Sequence, residues 1–241
     1  MKLYGNPLNR WMALLGIGCF LSLLFTSCLK SKNDDYTPPP SAYVTFFQAA
    51  TGEQPLDLYF NNNKVNQVPL GYGFGLDYFQ AYPGLRTVNI DASYTNSLIY
   101  SDTIRIKPNI AYSLFLINNP VNLGLFLLTD SISQPAAGKA TLRFINVSPD
   151  APAVDLAVKD SAAFVTNKGF KGFSSFIPKT GNQTYNFEIR QHGTNTVLTT
   201  LSGVTLNNGL VYTIWLHGLA NTSNADLKLK ADIVTNAYYT N

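Results

Sequence analysis

Tyr185-Asn186-Phe187-Glu188-Ile189-Arg190 alternates apolar and polar side chains through six residues. A period of two puts Tyr185, Phe187 and Ile189 on one face of an extended chain, which predicts a half-buried β-strand. Leu227, Leu229, Ala231 and Ile233 alternate with Lys228, Lys230 and Asp232, and Val88, Ile90 and Ala92 with Asn89 and Asp91. Tyr112 to Ile117 and Tyr212 to Leu216 are apolar on both faces, which predicts central strands. Turn residues separate these runs at Asn61-Asn62-Asn63, Pro83-Gly84, His192-Gly193 and Asn207-Asn208-Gly209. After Cys28 no stretch of ten residues reads as an amphipathic helix.

The strands recur. Tyr43-Val44-Thr45-Phe46-Phe47-Gln48 lines up with Thr141-Leu142-Arg143-Phe144-Ile145-Asn146, and Pro55-Leu56-Asp57-Leu58 with Ala153-Val154-Asp155-Leu156, both at an offset of 98. Gly71 meets Gly169 at that offset, and Tyr112–Leu116 meets Tyr212–Leu216 at 100, a drift that small insertions in surface turns explain. The expected fold class is all-β, with two tandem immunoglobulin-like β-sandwich domains at residues 41–130 and 139–234. Residues 131–138 form the linker and 235–241 a tail.

The second copy carries Arg143-Phe144-Ile145-Asn146-Val147-Ser148-Pro149-Asp150-Ala151-Pro152-Ala153-Val154-Asp155-Leu156, which closely resembles the signature of the domain of unknown function 4397 family. The first copy is degenerate there, Ala50-Thr51-Gly52-Glu53-Gln54-Pro55 replacing the string. The resemblance covers residues 139–234 directly and 41–130 through the internal repeat. It implies a bacterial envelope module, often in tandem, with no family active site to carry over. Physically, Pro149 presets a turn, Ser148 and Asp150 bond nearby amides, and Asp57 and Asp155 each pin a neighbouring loop.

The leading segment supplies an address. Lys2 and Arg10 precede the apolar run Trp11 to Phe25, too short for a comfortable bilayer crossing, so residues 1–27 read as a signal peptide. Leu24-Phe25-Thr26-Ser27-Cys28 resembles the bacterial lipobox, which implies lipid on Cys28. Residues 28–40 close on Pro38-Pro39-Pro40 and read as a tether. Lys32-Asn33-Asp34-Asp35 partly resembles the surface-export signal of Bacteroidetes lipoproteins. The expected location is the outer membrane, facing the cell surface, with a periplasm-facing protein as the alternative. Loss of Lys2 and Arg10 brings the formal charge from +3 to +1, which leaves no footprint for nucleic acid. With Cys19 inside the signal, Cys28 is the one mature thiol, so the fold rests on its apolar core.

No catalytic residues and no metal or other cofactor are expected. Ser148, His217 and Asp155 lack a nucleophile-elbow context. Glu53 and Glu188 are the only glutamates, and neither histidine has a partner at ligand spacing. The aromatic clusters are more informative. Tyr72, Phe74, Tyr78, Phe79 and Tyr82 crowd between Gly71 and Pro83, and Phe170, Phe173 and Phe176 answer them. Either they cap a core, or Tyr72, Phe74, Tyr78, Phe170 and Phe173 form a platform for a sugar or peptide, Tyr72 and Phe74 being the most exposed. Thr103, Ser131 and Ser161 each follow an aspartate and precede an apolar residue, which resembles the Bacteroidetes O-glycosylation pattern. The expected function is a non-catalytic, lipid-anchored envelope protein serving as a binding or spacer module for a glycan or partner protein. The alternatives are an enzyme acting on polysaccharide and a purely architectural component.

Overall fold

Alternating side chains in this chain fold into antiparallel and parallel ladders with almost nothing else between them. The structure is a computed structural model that describes residues 39–118 and 123–239. The signal peptide, Cys28 and nearly all of the tether lie outside the described residues. The first half contributes β1 (Ala42–Gln48), β2 (Leu56–Phe60), β3 (Asn63–Lys64), β4 (Gly75–Ala81), β5 (Gly84–Ala92), β6 (Ser97–Ile106), β7 (Ala111–Ile117) and β8 (Gly124–Asp130). The second contributes β9 (Lys139–Asn146), β10 (Val154–Val158), β11 (Ala163–Lys168), β12 (Ile177–Thr180), β13 (Gln183–Gln191), β14 (Val197–Leu206), β15 (Leu210–His217) and β16 (Lys230–Tyr238). The one helical element among the described residues is a 3-10 turn at Ala225–Leu227.

Each half is a sandwich of two four-stranded sheets. The orders are β4-β1-β7-β8 over β3-β2-β5-β6, and β12-β9-β15-β16 over β11-β10-β13-β14. The chain is therefore all-β, in two sandwich-like domains of one strand order. In each, the first strand runs parallel to the seventh: Tyr43 pairs with Ala111 and Thr141 with Val211, the offsets of 98 and 100 seen in the sequence.

The strands that are apolar on both faces show how the halves join. On β1, Val44 and Phe46 fill the first core, as Leu114 and Leu116 do on β7. Phe144 on β9 and Ile214 and Leu216 on β15 do the same in the second core. The opposite faces of these strands supply Phe47, Phe115, Ile117, Ile145 and Trp215, which with Leu128 and Val147 make a third core between the two inner sheets. Phe47 stacks on Phe115 with centroids 4.7 Å apart and lies 5.3 Å from Trp215. Gly75 permits this packing, because a Cβ there would stand 2.7 Å from the Phe47 ring. A period of two therefore buries both faces of β7 and β15, one inside its own sandwich and one against the other.

A buried polar network crosses the same seam. Arg143 and Asp130 pair at 2.6 Å with side chains 2% and 0% exposed. Arg143 also donates to Ser113 and Thr213, Ser113 donates to Asp130 at 2.9 Å, and Thr213 donates to Asn236 at 2.6 Å. The face of Phe176 covers the guanidinium at 4.7 Å. A charge pair this deep holds because the guanidinium also bonds Ser113 and Thr213 and the carboxylate also accepts from Ser113 and Tyr78.

Candidate functional site

The outer edges of the first sandwich, β3 on one sheet and β4 on the other, leave a half-open groove of about 260 Å³. Its apolar wall is Phe60, Val65, Phe79 and Ala81, with the Phe79 ring edge-on to Phe60 at 5.1 Å. Tyr82, just past the end of β4, is 64% exposed. The polar wall is Asn61, Asn63, Lys64, Gln80 and Arg86. Arg86 shares strand parity with the core residues Val88 and Ile90, which turns it toward the mouth of the sandwich. Its Nε donates to the Tyr82 carbonyl at 2.6 Å and an Nη to the Pro83 carbonyl at 2.5 Å, fixing the guanidinium plane. Asn61 accepts from the Thr87 amide through Oδ1, which leaves its amide nitrogen to the groove. A flat exposed ring beside planar amides and a fixed guanidinium presents an apolar face together with directed donors and acceptors. The sequence reading grouped Phe79 and Tyr82 with the aromatics but missed Arg86, Lys64 and Gln80. Their only signal was the parity of Arg86 with its core neighbours.

The second sandwich has the same edge and a different filling. Ala81 on β4 pairs with Ala42, and Lys179 on β12 pairs with Ala140, the same register position. Lys179 extends across to β11, where its ammonium sits 3.1 Å above the centre of the Phe164 ring. Burial lowers the Lys179 pKa below its ordinary value.

The expected aromatic platform is divided among several places. Tyr72 is not freely exposed, which corrects the sequence reading: its hydroxyl bonds His217 Nδ1 at 3.0 Å across the seam. His217 is buried, stacks on Trp215 at 4.3 Å, and bonds Asp232 through Nε2 at 2.7 Å. Burial and the Asp232 charge push the Tyr72 phenol up. Tyr78 donates to Asp130 and accepts from Asn236 at 3.0 Å, so it belongs to the Arg143 network. Phe74 is 66% exposed; Phe170 and Phe173 are partly exposed, with Lys171 above the Phe170 ring. Among the described residues no ring contact joins Tyr72, Phe74, Phe170 and Phe173 to one another. Tyr72 and Phe170 instead occupy matching turns: Gly73 N bonds the Gln48 carbonyl as Lys171 N bonds that of Asn146.

Ser148, Asp150 and Asp155 of the signature string have structural roles. Asp150 accepts from the Ala220 and Asn221 amides at 2.7 and 2.9 Å, and Ser148 donates to the Gly218 carbonyl at 2.7 Å. Together they clamp the turn after β15 onto the end of β9. Asp155 accepts from the Asn167 amide at 2.7 Å and the Gly193 amide at 3.3 Å, and bonds His192 at 2.8 Å. Burial alone would raise its pKa, but these bonds hold the carboxyl below its ordinary value. Asp57, its counterpart, is held low against burial by Lys64 and Asn66.

Residues 42–157 match the model of Domain of unknown function (DUF4397). The DUF4397 match spans the whole first sandwich and the opening of the second, including the signature string. No relative was found among curated proteins. Two solved structures are similar in outline. One is a family CBM26 module, CBMbc, from Eubacterium rectale Amy13K in complex with maltoheptaose, 8% identical with a TM-score of 0.25, covering 82% of this chain and 97% of that one. The other comes from family 41 carbohydrate-binding modules of streptococcal virulence factors, 15% identical with a TM-score of 0.25, covering 64% and 82%. At these TM-scores neither likeness bears on function.

The remaining candidates stand apart. Ser148, His217 and Asp155 bond Gly218, Tyr72 with Asp232, and His192 respectively, so they form no triad. Glu188 pairs with Arg190 at 2.6 Å in the second sandwich, while Glu53 lies in the first. Among the described residues no three His, Cys, Asp or Glu side chains converge as a metal site requires. Thr103, Ser131 and Ser161 are exposed, but the aspartate before Ser131 is the buried Asp130.

Proposed function

We propose that this protein is a non-catalytic binding module of the bacterial envelope, lipid-anchored through Cys28, whose groove between β3 and β4 takes a carbohydrate chain. The observation that carries this reading is the exposed Tyr82, which lines one groove together with Phe79 and the amide-bearing Asn61 and Asn63. A pyranose presents a C–H face to an aromatic ring and equatorial hydroxyls to planar amides, so one short wall recognises both. The groove, half open to solvent at about 260 Å³, lies just below the lower end of small-ligand sites, which run from ~300 to ~1,000 Å³. A ligand role for Tyr72 and Tyr78 is set aside, because their hydroxyls hold the seam. Location on the cell surface and the absence of catalysis belong to the same proposal.

The test is Tyr82→Ala in the full chain, purified in mild detergent and screened on a polysaccharide array. Binding is expected to fall by about tenfold while stability changes by less than ~0.5 kcal/mol, since the ring lies at the surface. An unmodified protein that retains no polysaccharide at all would sink the carbohydrate reading and favour the architectural one.

A further inference from the structure

We infer that the groove selects an anionic sugar, held by Arg86; this rests on the carbohydrate reading of the same groove. Two cations and no carboxylate line it. The two groups are not equivalent. Lys64 is already paired with the buried Asp57 at 2.7 Å, so its charge is largely answered. Arg86 is held only by the carbonyls of Tyr82 and Pro83, which orient the guanidinium without neutralising it. Its other N–H donors have no partner among the described residues. A guanidinium with a fixed plane and spare donors matches the two oxygens of a carboxylate or sulfate. Tyr82, exposed at the surface, lines the same groove. A sugar stacked on the Tyr82 ring within this groove can bring a ring substituent to the guanidinium, while Asn63 remains for hydroxyls. The second sandwich offers no such pairing, since at its edge the cation Lys179 covers the ring of Phe164.

The shared chemistry is a negatively charged sugar residue, and two sources can supply it, a uronic acid or a sulfate ester. Binding of the full chain is measured by calorimetry and affinity electrophoresis against four polymers. These are polygalacturonate, the same polymer after carboxyl reduction, dextran sulfate and unmodified dextran. Tighter binding of polygalacturonate than of its reduced form by about tenfold is expected, the scale of a hydrogen bond to a charged group. Arg86→Gln should abolish that difference, and Arg86→Lys should keep only part of it. Lys230→Gln, an exposed cation on β16, should have no effect. Preference for dextran sulfate over dextran, lost in the same variant, would assign the site to sulfate esters instead of uronates. Equal binding of charged and neutral polymers would overturn the anionic preference and leave the carbohydrate reading standing. Binding to none of the four, with no hit on the wider array, would overturn that reading too. Thermal unfolding of each variant separates lost binding from lost fold.

Discussion

The two sandwiches share a strand order, a register and a conserved turn geometry, yet their outer edges differ. At the edge of the first, Ala81 leaves Phe60 and Phe79 beneath an open groove; at the matching position of the second, Lys179 lies over Phe164. One side chain thus separates an open groove from an edge covered by its own cation. The pinning aspartates diverge likewise: Asp57 is answered by a lysine and an asparagine, Asp155 by backbone amides and a histidine. Once a fold is doubled, the seam fixes what both copies must keep, and the edges are left to vary.

The strongest way to break this comparison is to remove what couples the halves. Arg143→Ala leaves Asp130 buried without a counter-charge and should cost ~3–5 kcal/mol in urea unfolding. The pair Arg143→Met with Asp130→Leu should cost far less, since no charge is stranded. A loss under ~1 kcal/mol for the single variant would mean that each sandwich is stable without the seam network. Next in size is a transplant of the closed edge. Ala81→Lys should place an ammonium over Phe79 or Phe60, as Lys179 does over Phe164, and reduce carbohydrate binding by about tenfold. Unchanged binding would show that the ligand sits elsewhere.

The smallest effect concerns acid. Asp155 has a folded pKa below its ordinary value of 3.8, so its stabilisation is complete above that value and is lost as pH falls through the folded pKa. Asp155→Asn should therefore lower stability at neutral pH and flatten the acid limb of the unfolding curve below about pH 4. Asp57→Asn should do the same in the first sandwich. An acid limb unaltered in both variants would mean that neither carboxylate is specially stabilised on folding.

Much of the fold was legible because a strand writes its faces into the sequence. The alternation at Tyr185–Arg190 placed Tyr185, Phe187 and Ile189 in the second core, and the offsets of 98 and 100 reappear as strand register. The seam was half legible. Tyr112–Ile117 and Tyr212–Leu216 announced two buried faces, but a period of two says nothing about what covers the second one. Tyr72 was misread because its glycine neighbours suggest an exposed turn, while its partner His217 lies 145 residues away. Arg143 sits beside Ile145 on one face of β9, and an arginine sharing a face with isoleucine was the available sign of a buried charge. The groove was obscure for a similar reason, since Asn61, Gln80 and Arg86 come from three separate segments and meet only through folding.

The parallel pairing of first and seventh strands carries a consequence for how the chain acquires its shape. Neither β1 nor β9 can complete its sheet until a segment roughly 70 residues downstream arrives, so closure of each half awaits nearly all of that half. Long-range pairing of this kind slows folding, and the uncovered inner sheet of the first half remains sticky until Trp215 arrives. Assembly is therefore governed by the latest strands to emerge, and a chain that stalls after the first half presents Phe47, Phe115 and Ile117 to whatever escort or neighbour is at hand.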